Sequence, residues 1–195
     1  MSVFKEVVSE IQAQYLEVDN NRPWIVAFSG GKDSTLLLQL TWEALLQIPK
    51  ELRTRKMYVI CNNTLVENPS VLKFVDKQLE LIQKAATEQS LPITVDQTTP
   101  DLENSFWVNL IGKGYPAPNN MFRWCTERLK ISPTTKYITE KISKHGEAVI
   151  LIGTRSDESA ARARSIKKHE VKGTRLREHP LPNANSFSPI KDIKT

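Results

Sequence analysis

Three runs of five consecutive apolar residues constrain the fold of this chain more than any other feature. They are residues 24–28 (WIVAF), 57–61 (MYVIC) and 148–152 (AVILI). Short runs without polar alternation are typical of strands buried on both faces, as in a parallel sheet covered by helices. A membrane-spanning helix needs about 20 apolar residues, so these runs are too short to cross a bilayer. We expect a central parallel sheet and no membrane partner.

The segments between these runs carry apolar residues at helical spacing. This spacing predicts helices over residues 3–16, 34–48, 71–89 and 132–144, and a weaker strand over residues 92–95. Residues 112–120 and 167–185 are predicted to be loops. Strands that alternate with helices indicate a doubly wound α/β fold with helices on both faces of the sheet. At 195 residues, we expect a single domain spanning residues 1–195.

Ligands of open parallel sheets bind beyond the carboxyl ends of the strands. The sequences that follow the three runs are polar: S-G-G-K-D-S (residues 29–34), N-N-T-L-V-E-N-P (residues 62–69) and G-T-R-S-D-E-S (residues 153–159). These three segments are therefore expected to meet at one edge of the sheet and to form the functional site.

The S-G-G-K-D-S segment is suited to binding an anion. Two glycines let the backbone turn with its N–H groups inward, and the start of the following helix adds a partial positive charge. Ser29, Ser34 and Lys32 add further donors. The spacing matches neither the Walker loop nor the dinucleotide G-x-G-x-x-G. Asp33 has two open roles, as a ligand of Mg²⁺ or as a cap of the helix.

The S-G-G-x-D-S pattern resembles the pyrophosphatase loop of the ATP pyrophosphatase (PP-loop) superfamily, whose fold is adenine nucleotide alpha hydrolase-like. The resemblance implies that ATP and Mg²⁺ bind here, that AMP is transferred to an acceptor, and that pyrophosphate leaves. It implies catalytic roles for Lys32, Asp33 and Arg155. The implied ATP-binding residues are Phe28, Ser29, Gly30, Gly31, Lys32, Asp33, Ser34, Asn62, Gly153, Arg155, Asp157, Glu158 and Arg162.

Two further segments resemble known families. Residues 153–162 (GTRSDESAAR) resemble the G-x-R-x-[D/E]-E-S-x-x-R segment of the phosphoadenylylsulfate reductase branch, which implies that Arg155 faces the phosphates and that Asp157 and Glu158 open the next helix. Residues 63–69 (NTLVENP) resemble the D-T-L-V-E-x-P of DndC-type DNA phosphorothioation proteins. Asn63 replaces the aspartate, so a role that needs charge is not expected there.

The chain has two cysteines, Cys61 and Cys125, which form no CxxC motif and no disulfide framework. We therefore expect a reducing, cytoplasmic environment. Arg123, Arg128 and Lys130 surround Cys125 in the sequence and favour its thiolate. An ordinary, non-functional cysteine remains the alternative.

Residues 123–133 (RWCTERLKISP) resemble the R-W-C-T-x-x-x-K-x-x-P stretch shared by sulfate-reductase-like and DndC-type proteins. Iron–sulfur adenylylsulfate reductases have a Cys-Cys pair here, so the single Cys125 favours the DndC-type branch. In that family this cysteine is implied to be one ligand of a 4Fe–4S cluster. Two thiols cannot supply four ligands. We therefore expect a domain truncated at its C-terminal end, with the cluster-binding part missing.

Residues 155–177 hold eight basic and three acidic residues and account for the whole net charge of +5. A local basic excess indicates a polyanionic partner such as a nucleotide or nucleic acid. A solvated surface is the alternative. The residues expected to contact nucleic acid are Arg123, Arg164, Lys167, Lys168, Lys172, Arg175 and Arg177.

Together the resemblances identify the chain as a DndC-like ATP pyrophosphatase and sulfurtransferase of DNA phosphorothioation. They imply three kinds of partner: DNA, a cysteine desulfurase that donates sulfur, and other phosphorothioation proteins. One alternative is a sulfur-assimilation enzyme that reduces adenylylated sulfate. Another is a nucleotide-binding subunit without catalysis of its own. The three histidines show no metal-ligand spacing and receive no role.

Overall fold

The computed structural model describes residues 3–17, 22–169, 171 and 174–194, except for the side chains of residues 161, 165 and 167. The strands are β1 (Trp24–Ala27), β2 (Met57–Asn62), β3 (Ile93–Thr98), β4 (Ala148–Leu151), β5 (Leu176–Glu178) and β6 (Ala184–Phe187). The α-helices are α1 (Val3–Tyr15), α2 (Lys32–Gln47), α3 (Pro69–Glu88), α4 (Trp124–Thr126), α5 (Ser132–His145) and α6 (Ala160–Lys168).

The strands form one sheet in the order β3-β2-β1-β4-β6-β5. All neighbouring pairs are parallel except β5 and β6, which are antiparallel. At the centre, Val26 of β1 aligns with Val59 of β2 on one side and with Leu151 of β4 on the other. The strand order reverses between β1 and β4, and a reversal of this kind opens a crevice at the carboxyl ends of the two strands. The predicted α/β fold is confirmed, with a mostly parallel sheet.

Each face of the sheet is covered by a different set of helices. Alternate side chains of β1 explain this, because Trp24 and Val26 pack with α1, α2 and α3, whereas Ile25 packs on the opposite face with Ile138 of α5. The first cluster is the larger and contains the fully buried Leu37, Leu45 and Met57. Strands buried on both faces are what continuous apolar runs predict.

Several predicted boundaries differ from the structure. Strand β3 extends to Thr98, three residues beyond the predicted end. Helix α2 begins at Lys32 rather than at Ser34, because extended Gly31 is its N-cap. The predicted loop over residues 167–185 contains β5 and the start of β6. These strands have three and four residues, L-R-E and A-N-S-F, and their short polar sequences give no apolar run.

Helix α4 runs through a π-helical turn, Glu127–Ile131, into α5. π-Helical turns are rare in proteins, and those that occur are often found at functional sites. Helix α5 ends at Gly146, whose φ of 86° lies in the left-handed region that glycine adopts without strain. None of the helices among the described residues has the length and apolar character needed to cross a bilayer.

Candidate functional site

A cleft of about 510 Å³ lies at the carboxyl ends of β1, β2 and β4. A volume of this size is typical of small-molecule sites, which measure roughly 300–1,000 Å³. Its walls come from the three segments that the sequence analysis selected, together with the start of α3 and the region around the π-helical turn. Its polar lining residues are Ser29, Asp33, Ser34, Asn62, Asn63, Glu67, Gln97, Lys130, Thr134 and Thr154.

The loop between β1 and α2 turns at Gly30, whose φ is +71°. A side chain at this position would be strained in the left-handed region, which explains the glycine. Gly31 follows in extended conformation and caps α2 without a side-chain hydrogen bond. The first N–H groups of a helix have no partner within it, so the amides of Lys32, Asp33 and Ser34 are available to an anion.

Ser34 holds this loop in shape. Its hydroxyl donates to the carbonyl of Gly31 (2.9 Å) and accepts from the N–H of Ser29 (3.2 Å). The Ser29 hydroxyl lies 3.1 Å from that of Ser34 and accepts from the N–H of Gly31 at 3.4 Å. These bonds fix the loop before any ligand arrives, and preorganised N–H groups bind anions at a lower entropic cost.

Gly153, directly after β4, brings this strand end close to the start of α2. A Cβ atom on Gly153 would lie 3.1 Å from the carbonyl oxygen of Asp33 and 3.2 Å from its carbonyl carbon. This separation is shorter than most Cβ contacts, so a side chain at residue 153 would need a shift of a few tenths of an ångström between β4 and α2. Glycine permits the close approach without that shift.

Arg155 lies behind the loop, and only 6% of its surface is exposed. Its Nε lies 3.2 Å from Oδ1 of Asp33 and 3.6 Å from Oδ1 of Asp157. The Nε atom is buried and forms no hydrogen bond within the described part of the chain. A buried guanidinium is costly unless it is paired with carboxylates. Of the two roles left open for Asp33, the helix cap is excluded, because Gly31 is the N-cap of α2 and Asp33 pairs with Arg155. The role as a ligand of Mg²⁺ stays a prediction.

Asn62, at the end of β2, is held in one orientation. Its side-chain oxygen accepts from the hydroxyl of Thr98 and from that of Thr134 at 3.0 Å. With the oxygen occupied, only the amide N–H groups of Asn62 can serve a ligand. Asn62 lines the cleft, so its amide group is available for the predicted ATP-binding role.

The T-L-V-E-N-P segment builds the start of α3. Glu67 accepts from the N–H (3.1 Å) and the hydroxyl (2.5 Å) of Thr64, and Asn68 caps α3 by accepting from the N–H of Ser70 (2.9 Å). Pro69 occupies the first turn, where a missing N–H costs nothing. Asn63 accepts from the N–H of Leu65 at 2.9 Å and so makes a local turn. The segment positions Glu67 in the cleft wall.

Several polar groups of the cleft were not expected from the sequence, among them Glu67, Gln97, Lys130 and Thr134. Lys130 lies in the π-helical turn, which the apolar pattern does not reveal. The signal that could have found Lys130 was the lysine of R-W-C-T-x-x-x-K, which was interpreted only as a neighbour of Cys125. Its ammonium group adds positive charge to the cleft opposite the loop of residues 29–34.

Trp124, which directly precedes Cys125, has a structural role. Trp124 is buried, stacks on Phe106 at 5.3 Å between ring centres, and donates from Nε1 to the carbonyl of Pro116 at 3.0 Å. Arg128 donates to Asn104 (2.7 Å) and to the hydroxyl of Tyr115 (3.2 Å). Trp124 is thus unavailable to stack on a base. Arg128 is occupied by these contacts.

Cys125 is partly exposed in the first turn of α4, whereas Cys61 is buried in β2, where desolvation raises the pKa of its thiol. Among the described residues, no three His, Cys, Asp or Glu side chains group as they would around a metal ion. A 4Fe–4S cluster normally needs four thiolates, so the residues of this chain do not fit one. Asp33 fits Mg²⁺, which usually takes one or two carboxylates together with substrate phosphates.

The structure brings some of the predicted ATP-binding residues together and separates others. Lining the cleft are Phe28, Ser29, Asp33, Ser34, Asn62 and Gly153. Gly30, Gly31 and Lys32 form the adjoining exposed loop, and Asp157 lies beside Arg155. Arg162 lies outside this cleft, because it pairs with Glu158 on its own turn and lines a second cavity. Asp157 and Glu158 form a short 3-10 turn before α6, which Ser159 caps.

The predicted nucleic-acid residues are divided between surface and interior. Arg164 and Lys168 are exposed on α6, and Arg123 and Arg175 are exposed elsewhere. Arg177 is half-buried and donates to the hydroxyl of Ser188, so it does not extend a surface stripe. Lys172 and the side chain of Lys167 lie outside the described residues.

Comparison with known proteins agrees with this fold. Residues 23–188 match the phosphoadenosine phosphosulfate reductase domain family, which covers most of the chain. The chain belongs to this family. An uncharacterised protein of Methanocaldococcus jannaschii is 29% identical over 161 residues, which are 83% of this chain and 28% of that protein.

Two solved structures are similar to this chain, and the first of them shares its fold. The U34-tRNA thiolase NcsA from Methanococcus maripaludis, solved with its 4Fe–4S cluster, has a TM-score of 0.54 and 20% identity, and the match covers 98% of this chain and 59% of the thiolase. A phosphoadenylyl-sulfate reductase from Candida auris, in complex with phosphate, has a TM-score of 0.48 and 12% identity over 98% of this chain and 79% of the reductase. The chain therefore spans about a quarter of the length of the archaeal relative and about three fifths of the thiolase.

Proposed function

We propose that this chain is the ATP pyrophosphatase domain of a DNA phosphorothioation sulfurtransferase. The observation that carries the proposal is the fixed loop of residues 29–34, joined through Asp33 to the buried guanidinium of Arg155. Together they present backbone N–H groups, hydroxyls and the ammonium of Lys32 at the carboxyl ends of the central strands. This arrangement favours a triphosphate over a single small anion, because donors lie on both sides of the crevice.

The reaction is adenylyl transfer. An oxygen of a DNA backbone phosphate attacks the α-phosphorus of ATP, the bond from that phosphorus to the α,β-bridging oxygen breaks, and pyrophosphate leaves with the bonding electrons. The outer sulfur of a desulfurase persulfide then attacks the activated DNA phosphorus, and AMP leaves with the former phosphate oxygen. A thiol next attacks the inner sulfur of the persulfide, so that the S–S bond breaks, a disulfide forms, and the electrons of the broken bond stay on the sulfur bound to phosphorus. The net result is one sulfur in place of one non-bridging oxygen.

The residues of the cleft stabilise the negative charge that grows on the departing pyrophosphate. Fixed N–H groups of the loop and the ammonium of Lys32 bind the β- and γ-phosphates, and donors fixed in advance are worth more in a cleft than in bulk water. Asp33 would hold Mg²⁺, which adds positive charge to the same oxygens. Arg155 keeps Asp33 oriented toward the loop. The pinned amide of Asn62 donates to the adenine or ribose.

The DNA part of the proposal is supported by the T-L-V-E-N-P and R-W-C-T segments and by the basic excess after β4. Cys125 is the cysteine available to a cluster or to sulfur transfer, and further cluster ligands would come from outside this chain. Both cysteines are free thiols, which suits the reducing cytoplasm that we propose. A cysteine desulfurase and other phosphorothioation proteins are the proposed partners.

A second candidate function is the reduction of an adenylylated sulfate. The match to the phosphoadenosine phosphosulfate reductase domain over residues 23–188 favours it. The same loop would bind the phosphate and sulfate of that substrate. The two functions differ in the ligand that the cleft prefers, which a competition experiment can measure.

The test is release of pyrophosphate from ATP and Mg²⁺, with and without DNA, in the presence of the cysteine desulfurase. We expect DNA to raise the rate at least about tenfold, and adenosine 5′-phosphosulfate to compete only weakly. A rate of pyrophosphate release that is the same with and without DNA, together with tight binding of adenosine 5′-phosphosulfate, would favour the reductase. Binding of ATP without any pyrophosphate release would indicate a non-catalytic nucleotide-binding subunit.

A further inference from the structure

A second cavity, of about 680 Å³, lies between α6 and the β4–β6–β5 half of the sheet. We call it the arginine–histidine cavity, after Arg162, Arg177, His169 and His179 in its lining. It is larger than the nucleotide cleft and within the size range of small-molecule sites. The two histidines had received no role from the sequence, and the adenylyl-transfer chemistry does not use them.

The arginine–histidine cavity adjoins the nucleotide cleft. Ile152 and Thr154, which follow β4, line both of them. The two cavities are therefore neighbours that share these two residues as a wall. The shared wall lies directly before Arg155, the residue that pairs with Asp33 of the loop.

The charge of the cavity suits an anion. Arg177 crosses it and donates to Ser188, and Arg162 shares its charge with Glu158. Glu178 is the carboxylate in the lining, but its side chain is 75% exposed and lies 3.9 Å from Nδ1 of His169. The two guanidinium groups of the lining are thus those of Arg162, which is paired with Glu158, and Arg177, while the carboxylate of Glu178 lies mostly in solvent.

His179 adds a donor of fixed direction. Its Nδ1 accepts from the N–H of Leu181 at 3.2 Å, which leaves Nε2 to carry the proton and to donate. Burial lowers the pKa of His179, so the ring stays neutral near pH 7. A neutral donor beside two arginines is typical of sites that bind a phosphate by hydrogen bonds as well as by charge.

We propose that the arginine–histidine cavity binds a backbone phosphodiester of the nucleic-acid strand whose neighbouring phosphate is activated in the cleft. This inference rests on the proposed function. A strand rather than a free phosphate is favoured because Arg164 and Lys168, exposed on α6, continue the positive charge outside the cavity. Phosphate contacts of this kind position a strand without reading its sequence.

The test measures binding of a fluorescein-labelled single-stranded DNA by anisotropy over a series of salt concentrations. Arg177→Gln should weaken binding about tenfold and reduce the salt slope by about one, as expected for one lost phosphate contact. His179→Asn keeps an acceptor for the N–H of Leu181 and removes the Nε2 donor, and should weaken binding about threefold. Lys50→Gln, an equal charge change on an exposed residue beyond the far end of α2, should change binding less than about twofold.

Each other outcome has a defined meaning. If Arg177→Gln and His179→Asn bind like the wild type while DNA still stimulates pyrophosphate release, the inference fails and the proposed function stands. The inference also fails if the wild type binds no nucleic acid. It fails as well if inorganic phosphate alone raises the melting temperature of the protein by binding in the cavity. If RNA binds more tightly than DNA and Arg177→Gln still loses affinity, the cavity is supported and the DNA part of the proposed function fails. Should Arg177→Gln not fold, His179→Asn carries the test.

Discussion

Nε of Arg155 lies 3.2 Å from Oδ1 of Asp33, and this ion pair joins the end of β4 to the first turn of α2. The Arg155 side chain is 7% exposed and that of Asp33 is 24% exposed, so water screens the pair only in part. The same contact holds the end of β4 close to the start of α2, at the crevice where the strand order reverses between β1 and β4. Stability and nucleotide binding are thus linked through one carboxylate.

Asp33→Asn should therefore reduce both properties. The substitution keeps the size of the side chain but leaves the buried guanidinium with Asp157 alone, and we expect a loss of roughly 1–3 kcal/mol in the free energy of unfolding. Pyrophosphate release should fall about a hundredfold or more, because the proposed Mg²⁺ ligand is lost. Urea denaturation and a pyrophosphate assay measure the two effects.

Asp157→Asn is the matched control for this change. Asp157 lies farther from Arg155, at 3.6 Å, and is exposed to 29%. We expect a smaller loss of stability than for Asp33→Asn, and a smaller effect on pyrophosphate release. Equal effects of the two variants would contradict the special position of Asp33.

Gly153→Ala tests the close approach of β4 to α2. The new Cβ would lie 3.1 Å from a backbone oxygen of Asp33, so α2 must shift. We expect roughly 1–3 kcal/mol less stability and an ATP affinity lowered about tenfold. Gly112→Ala is the control, since its Cβ would meet only a Val108 methyl at 3.8 Å and should change stability by less than about 0.5 kcal/mol. ATP binding by Gly153→Ala at the wild-type level would be inconsistent with the close approach.

Ser34→Ala tests whether the loop is fixed in advance. The variant leaves the Ser29 N–H and the Gly31 carbonyl without their shared partner, which should cost about 1 kcal/mol and weaken ATP binding severalfold. Ser29→Ala removes fewer bonds and should have a smaller effect on calorimetrically measured ATP affinity. A larger effect of Ser29→Ala would show that direct contacts to the nucleotide, rather than loop shape, dominate.

The central strands were predictable because β1, β2 and β4 are buried on both faces and leave continuous apolar runs in the sequence. The same reasoning placed the loop of residues 29–34 and the segment after Gly153 at one edge of the sheet. Strands β5 and β6 left no such signal, since they are short and two of the residues in each are polar. Predicted helices agree with α1, α3 and α5 to within two residues at each end.

The pairing of Asp33 with Arg155 could not be predicted, because the two residues are far apart in the sequence and their side-chain directions depend on packing. Lys130 was missed for a related reason, since a π-helical turn changes which face of the helix it occupies. Arg162 was expected to contact ATP from the family resemblance, and Arg177 was expected to contact nucleic acid from its charge. Only the fold shows that both line a cavity separate from the cleft.

His179 gives the protein a pH-dependent stability. Burial lowers the pKa of His179 below its ordinary value of 6.5, so the unfolded chain takes up a proton at higher pH than the folded protein. The free energy of unfolding should therefore decrease as the pH falls below about 6.5, until the folded state is protonated too. His179→Asn should flatten this decrease, measured by urea denaturation between pH 7 and pH 5. His145, whose pKa is also lowered by burial, supplies the decrease that remains.

The two cysteines should differ in reactivity. Cys61 is 4% exposed and burial raises the pKa of its thiol, while Cys125 is partly exposed. Because thiolate and access control alkylation, N-ethylmaleimide should modify Cys125 at least about tenfold faster in the folded protein. Mass spectrometry of the intact protein follows the reaction. Cys125→Ser should remove the fast phase, and a fast phase that persists would contradict the burial of Cys61.

The most direct test of the account is which phosphorus of ATP is attacked. With ATP labelled at the α-phosphate, Mg²⁺ and DNA, the account predicts that the label appears in AMP or on an adenylylated acceptor, with pyrophosphate as the other product. Label recovered in ADP, with orthophosphate released, would mean that the loop of residues 29–34 directs attack to the terminal phosphorus. That result would contradict the proposed function.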